Sequence, residues 1–158
     1  MSLFYEDQKV GATAALGAHT FTRESIIAFA LLYDPQPFHL SEEAGRASIY
    51  GALVASGWHT ASVCMRLLID WRDRSRAARA ALGEPLPQLG LSPGFRDMRW
   101  FSPVRAGDTV AYSTRVESLR DTRRPQWGVV TSRNIGLDQH GAEVFAFTSA
   151  VLWERRPA

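Results

Sequence analysis

The stretch GALVASGWHTASVCMRLLID, residues 51–70, decides how the rest of the chain has to fold. Apolar side chains fall on nearly every side of the turn, so the pattern predicts a long helix from Gly51 to Asp70 with no wholly polar face to give to water. Ser56, His59, Thr60, Ser62 and Arg66 interrupt the run too often for a membrane span. A helix of this kind must be surrounded, and the flanking segments supply the material. Upstream, GAHTFTRESIIAFALLYD begins as a short strand and continues as a helix from Arg23 to about Tyr33, with Thr22 as its N-cap. HLSEEAGRAS predicts a short helix capped by Ser41, with Glu42 and Glu43 favoured by the dipole of its first turn. Downstream, FRDMRWFSPV, AGDTVAYSTRVESL, WGVVTSRNIGLDQHG and AEVFAFTSAVLWERR have strand character, and RRPQW and DQHG mark turns. Val110, Tyr112, Thr114 and Val116 alternate with Ala111, Ser113, Arg115 and Glu117, as a half-buried strand requires. One strand, then helices, then three or four antiparallel strands implies an α+β domain. In it, a curved antiparallel β-sheet wraps around one long central helix.

Length and composition fit that architecture. The 158 residues are enough for one domain, 1–158, with a real core, and 46% hydrophobic against 22% charged residues argues against disorder. Residues 72–93, RDRSRAARAALGEPLPQLGLSP, change from arginine and alanine to glycine and proline. They read as a surface excursion between the two halves, bordering the mouth of any site. The net charge is only +2, Lys9 is the one lysine among 18 basic residues, and no basic run is interleaved with aromatics, so nucleic acid is not the expected partner. A single cysteine, Cys64, rules out an internal disulfide and reads as a small buried hydrophobe. The opening MSLFYEDQKVG lacks the order of a signal peptide, so a cytoplasmic location is expected. The four histidines have no tight ligand spacing with Cys or a second carboxylate, so no metal is expected. P-loop, G-x-S-x-G and G-x-G-x-x-G motifs do not occur.

YDPQPFH, residues 33–39, carries the chemistry. Asp34 and His39 are separated by Pro35 and Pro37, which keep the segment from being ordinary helix and fix the relation of one carboxylate to one imidazole. Alone, Asp34 reads as a turn residue and His39 as a hydrogen-bonded structural histidine. Held together on one rigid loop, the two can orient and activate a single water.

YDPQPFH resembles the D-x-N-P-L-H signature of (R)-specific enoyl-CoA hydratases and MaoC-like acyl dehydratases, with Gln36 for Asn and Phe38 for the aliphatic residue. YGALVASGWHT, MRWFSPVRAGDTV and GAHTFTRESIIAFA are similar to segments of the same family, so the likeness covers nearly the whole chain outside 72–93. The resemblance implies a hotdog fold, assembled as a homodimer or dimer of dimers. It also implies reversible hydration of a 2-enoyl-CoA to an (R)-3-hydroxyacyl-CoA, the chemistry of fatty acid metabolism. Asp34 and His39 would be the catalytic pair, and the N–H of Gly51, at the start of the central helix, would polarise the thioester carbonyl. No redox cofactor is implied, since the coenzyme A or carrier-protein thioester is itself the substrate. Arg99 or Arg105 would meet its phosphates. Gly51 can equally be read as a simple helix starter. Ser56 and His59 are read first as packing residues, and otherwise as a polar lining of the acyl tunnel. Ser41, Gly45, Tyr50 and Ala52 depart from the family pattern and bear on acyl preference. A hotdog thioesterase and a non-catalytic acyl-thioester binding module are the alternatives. The first is disfavoured by the Asp–x4–His loop and the second by the intact pair.

Overall fold

The computed structural model describes residues 4–88 and 90–157. Five antiparallel strands form one sheet in the order β1-β3-β4-β5-β2: β1 is Thr13–Thr20, β2 Gly94–Trp100, β3 Thr109–Asp121, β4 Trp127–Leu137 and β5 Glu143–Glu154. The helices α1 (Arg23–Tyr33), α2 (Pro37–Leu40), α3 (Glu42–Ala47) and α4 (Gly57–Ala81) all fall between β1 and β2 in the chain. This is the expected mixed architecture, with one long helix against a curved sheet. The strands are bent by register shifts at Ala15/Gly17, Val116/Ser118, Arg96/Arg99 and Gly136/Leu137, each of which adds local twist.

The core lies between α4 and the sheet. Cys64 of α4 and Ile26 of α1 pack with Leu16, Tyr112, Phe145 and Phe147 of three strands, each of these aromatic or aliphatic side chains contributing roughly 1.5–3 kcal/mol by leaving water. Tyr112 enters this layer because its hydroxyl donates to Thr60 O at 3.1 Å, and burial pushes its phenol far above the usual range. Cys64 is a free, buried thiol there, and burial pushes it up to about 12.

Two expectations are corrected. The long helix does not start at Gly51. Residues 51–56 are not helical, and Val54 forms a bridge with Arg105, so α4 begins at Gly57 behind a Ser56 cap. At its other end α4 runs on to Ala81, so the arginine/alanine half of 72–93 continues the helix. Only 82–93 is a connection. Leu82, Gly83 and Glu84 still bond back to the end of α4, and from Pro87 on its described residues lie along β5, where Leu152 N–H donates to Leu91 O at 2.9 Å and Ser92 Oγ to Ala150 O at 3.0 Å. None of them reaches the mouth of the site described below. Among the described residues no helix is long and apolar enough to cross a membrane.

Candidate active site

The site begins where α1 stops. The Asp34 N–H still donates to Ala30 O at 2.9 Å, but its backbone has left the helix (φ −154°, ψ 69°), as a residue before proline prefers. The Gln36 N–H then turns back on Asp34 O at 2.8 Å, and Pro37 opens the single turn α2, which carries His39. The prolines therefore shape this segment as a helix end followed at once by a new helical turn. That brings His39 Nε2 within 3.4 Å of Asp34 Oδ2.

Each member of the pair is held from a second direction. His39 Nδ1 lies 2.7 Å from Val54 O, and since a carbonyl can only accept, Nδ1 carries a proton. In the neutral ring the lone pair is then on Nε2, facing the carboxylate. On Asp34, Oδ1 accepts from Gln36 Nε2 at 2.8 Å and Oδ2 from the Ser56 hydroxyl at 2.6 Å. Burial pushes the Asp34 carboxyl up, but the bonds from Ser56 and Gln36 and the nearby His39 outweigh it. Its pKa lies below the ordinary 3.8. The same Ser56 oxygen accepts from Trp58 N–H at 3.2 Å, so the cap of α4 is also a support for the carboxylate.

The pair opens on a cavity of ≈ 430 Å³. Asp34, Gln36, His39, Thr60 and Ser102 give it a polar side. Val54, Ala55 and Val104 form an apolar wall, and Phe38, Tyr50, Trp58, Trp100 and Phe101 supply aromatic surface. No arginine or lysine among the described residues lines it. Gly57 does line it, at the first position of α4, where backbone N–H groups have no carbonyl one turn back.

The residues expected at the site separate. Asp34, His39 and Ser56 come together: Ser56 is buried and does not line the cavity, and its hydroxyl donates to the Asp34 carboxylate. Gly51 is elsewhere. It sits in a turn at φ +66°, its N–H donates to Ser48 O at 3.1 Å, and it lines a shallow depression together with Arg105. It therefore cannot offer a helix N-terminus to a ligand beside Asp34. His59 is buried in an aromatic cluster, stacked on Phe29 at 4.6 Å with its Nδ1 unpartnered, and does not line the cavity. Burial, and then the charge of His19, lowers its pKa to about 4. Arg99 is exposed on β2 and Arg105 on the far side of the Val54 bridge; neither lines the cavity. Trp58, Trp100 and Gly57 were missed because only the fold brings the end of β2 onto the start of α4.

The structure is a hotdog architecture with a buried imidazole beside a half-buried carboxylate at a half-apolar cavity. The chain belongs to the MaoC-like dehydratase family: the model of the MaoC like domain matches residues 7–136. A crystal structure of a MaoC-like dehydratase from Rhodospirillum rubrum is 37% identical and superposes with a TM-score of 0.81, covering 99% of this chain and all (100%) of that one. The (R)-specific enoyl-CoA hydratase of Rhodospirillum rubrum is 29% identical over 117 residues, 73% of this chain and 71% of that enzyme. Mesaconyl-CoA hydratase of Cereibacter sphaeroides is 30% identical over 88 residues, 53% of this chain. The match spans only 26% of that relative's length.

Proposed function

We propose that the protein hydrates 2-enoyl-CoA thioesters to (R)-3-hydroxyacyl-CoA, and dehydrates them in reverse. The observation that carries this reading is the Asp34–His39 contact, with Ser56 and Gln36 holding the carboxylate ionised and Val54 O fixing the imidazole tautomer. A water between Asp34 and His39 donates one O–H to the carboxylate and the other to Nε2. Its oxygen adds to C3 of the enoyl group as Nε2 takes a proton, and the pair returns a proton to C2. One water is consumed and no electron is transferred, so the step needs no redox cofactor. The charge that develops on the thioester oxygen falls to Gly57 N–H, in place of Gly51; such a donor is worth about 10²–10³ in rate. Among the described residues of one chain no cation lines the cavity, which favours an uncharged acyl tail, since a second carboxylate would stay unpaired there. The likeness to the (R)-specific enoyl-CoA hydratase of Rhodospirillum rubrum supports the (R) configuration and the coenzyme A carrier in this reading.

The working form in this reading is a homodimer. Strand β2 is an edge of the sheet, and Trp58, Met65 and Ile69 leave an exposed apolar stripe on α4, of which Trp58 lines the cavity.

Crotonyl-CoA tests the reading. Loss of enoyl absorbance without free thiol is expected, with the (R) product on chiral separation; thiol release instead would mean a thioesterase. Asp34→Asn and His39→Ala should each lower kcat/KM by about 10²–10⁴ while leaving the melting curve close to wild type.

A further inference from the structure

Arginines gather on the face of the sheet turned away from α4. Tyr112, Phe145 and Phe147 belong to the core, so the strand residues that alternate with them point outward. The register places Arg115 directly opposite Arg133, Arg133 opposite Thr148, and Thr148 opposite Arg96, in one row across β3, β4, β5 and β2. Arg120, opposite Val129, lies further along the same face. Like charges directly opposite on a sheet repel. Glu143 answers Arg133 at 2.5 Å, and Asp97 lies 3.7 Å from Arg96. Arg115 and Arg120 are exposed and have no ion pair among the described residues. Between Arg96 and Arg120 the face sinks into a depression of ≈ 480 Å³. Val129 and Ala150 give it an apolar part, and Thr131 and Thr148 give it two hydroxyls. Neither hydroxyl has a hydrogen-bond partner among the described residues, although Thr148 is only 5% exposed. A polar side chain so buried is ordinarily satisfied.

We propose that this depression binds a phosphate-bearing small molecule, a diphosphate above all. Arg96 and Arg120 hold it from two sides, and the hydroxyls of Thr131 and Thr148 donate to it. The guanidinium fork matches phosphate oxygens, and a diphosphate presents oxygens to both walls at once. The concave shape favours a small anion over the surface of a macromolecule. The site is separate from the Asp34–His39 cavity, which Trp100 lines at the other end of β2 and on the core side of the sheet, so it does not depend on the hydratase reading. A strand added along β2 would extend the sheet sideways and leave this face open.

Calorimetric titration of the full chain with inorganic pyrophosphate, ADP and coenzyme A is the test. Wild type should bind pyrophosphate saturably, once per chain, and melt higher in its presence. Arg96→Gln and Arg120→Gln should each weaken binding by about 10–100-fold, and Thr148→Val by about 2–10-fold. Arg46→Gln, which changes an exposed arginine on α3, should leave binding as it is. Melting without ligand checks that each variant is folded. The two glutamine variants of this face should melt at or above wild type, since each removes one of the repelling charges. If Thr148→Val fails to fold, the two exposed arginines still decide. Absence of saturable pyrophosphate binding overturns the proposal. So does binding that ignores Arg96 and Arg120, or that Arg46→Gln weakens equally, the sign of unspecific charge. The other probes identify the source of the diphosphate. ADP bound more tightly than pyrophosphate, with the same dependence on the two arginines, points to a free nucleotide. Coenzyme A with that dependence points to the carrier of an acyl thioester, and coenzyme A that ignores both arginines is excluded as the source.

Discussion

The hydroxyl of Ser56 serves two partners at once, donating to Asp34 Oδ2 and accepting from Trp58 N–H, so its removal should be felt in two separate measurements. Ser56→Ala loses a helix cap, about 1 kcal/mol of stability. It also loses a hydrogen bond to a charged group, worth roughly 1.5–3 kcal/mol, so kcat/KM should fall about 10–100-fold. Burial then acts on Asp34 with only Gln36 and His39 opposing it, and the carboxyl pKa rises. A carboxylate with a folded pKa below 3.8 contributes stability that is full above that pH and is lost as pH falls through the folded value. In the variant that contribution shrinks and the acid limb of kcat/KM moves to higher pH. An acid limb that stays in place while stability drops would leave Ser56 a cap and nothing more. The Asp–x4–His spacing was legible because both residues and both prolines sit in one short stretch. The role of Ser56 was not, since the apolar pattern placed it inside a helix from Gly51, and its reach to Asp34 depends on how α1 and α4 meet.

At the scale of elements, the strands and α1 follow the reading closely, because alternation and the Thr22 and Ser41 caps are local signals; both capping hydroxyls accept the expected N–H groups. The start of α4 was displaced because GALVAS is apolar throughout, and periodicity cannot separate a short buried extended segment from a helix. Val54 is buried at 1% exposure in a bridge to Arg105, which gives its apolar neighbours a reason other than helix. The displacement reverses the expectation for Gly51. At φ +66°, with nothing within 4 Å of a Cβ, alanine there meets no neighbour but adopts a left-handed backbone at roughly 1–2 kcal/mol. Gly51→Ala should therefore melt about 2–8 °C lower with kcat/KM near wild type. A tenfold rate loss at unchanged stability would return Gly51 to the catalytic machinery.

For the whole molecule, the exposed edge and the buried cluster each make a prediction. Free β2 and the Trp58–Met65–Ile69 stripe should bring two copies together, so light scattering should give twice the chain mass. Met65→Lys, outside the cavity, should yield monomers with weakened activity; a fully active wild-type monomer would refute the dimer. The buried cluster governs acid stability. His59 lies between Phe21 and Phe29 with His19 nearby, and burial followed by the His19 charge takes its pKa from 6.5 to about 4. Between those values the unfolded chain holds a proton that the folded one lacks. Stability is therefore full above about 6.5 and falls as pH drops toward 4, by up to about 1.4 kcal/mol per pH unit. His59→Phe keeps a ring to stack on Phe29 and removes both the titration and an unpartnered buried nitrogen. Urea unfolding from pH 7.5 to 4.5 should give the variant equal or greater stability at the top of the range and a shallower decline below it. An identical decline would assign the acid sensitivity to other groups and leave His59 as packing alone.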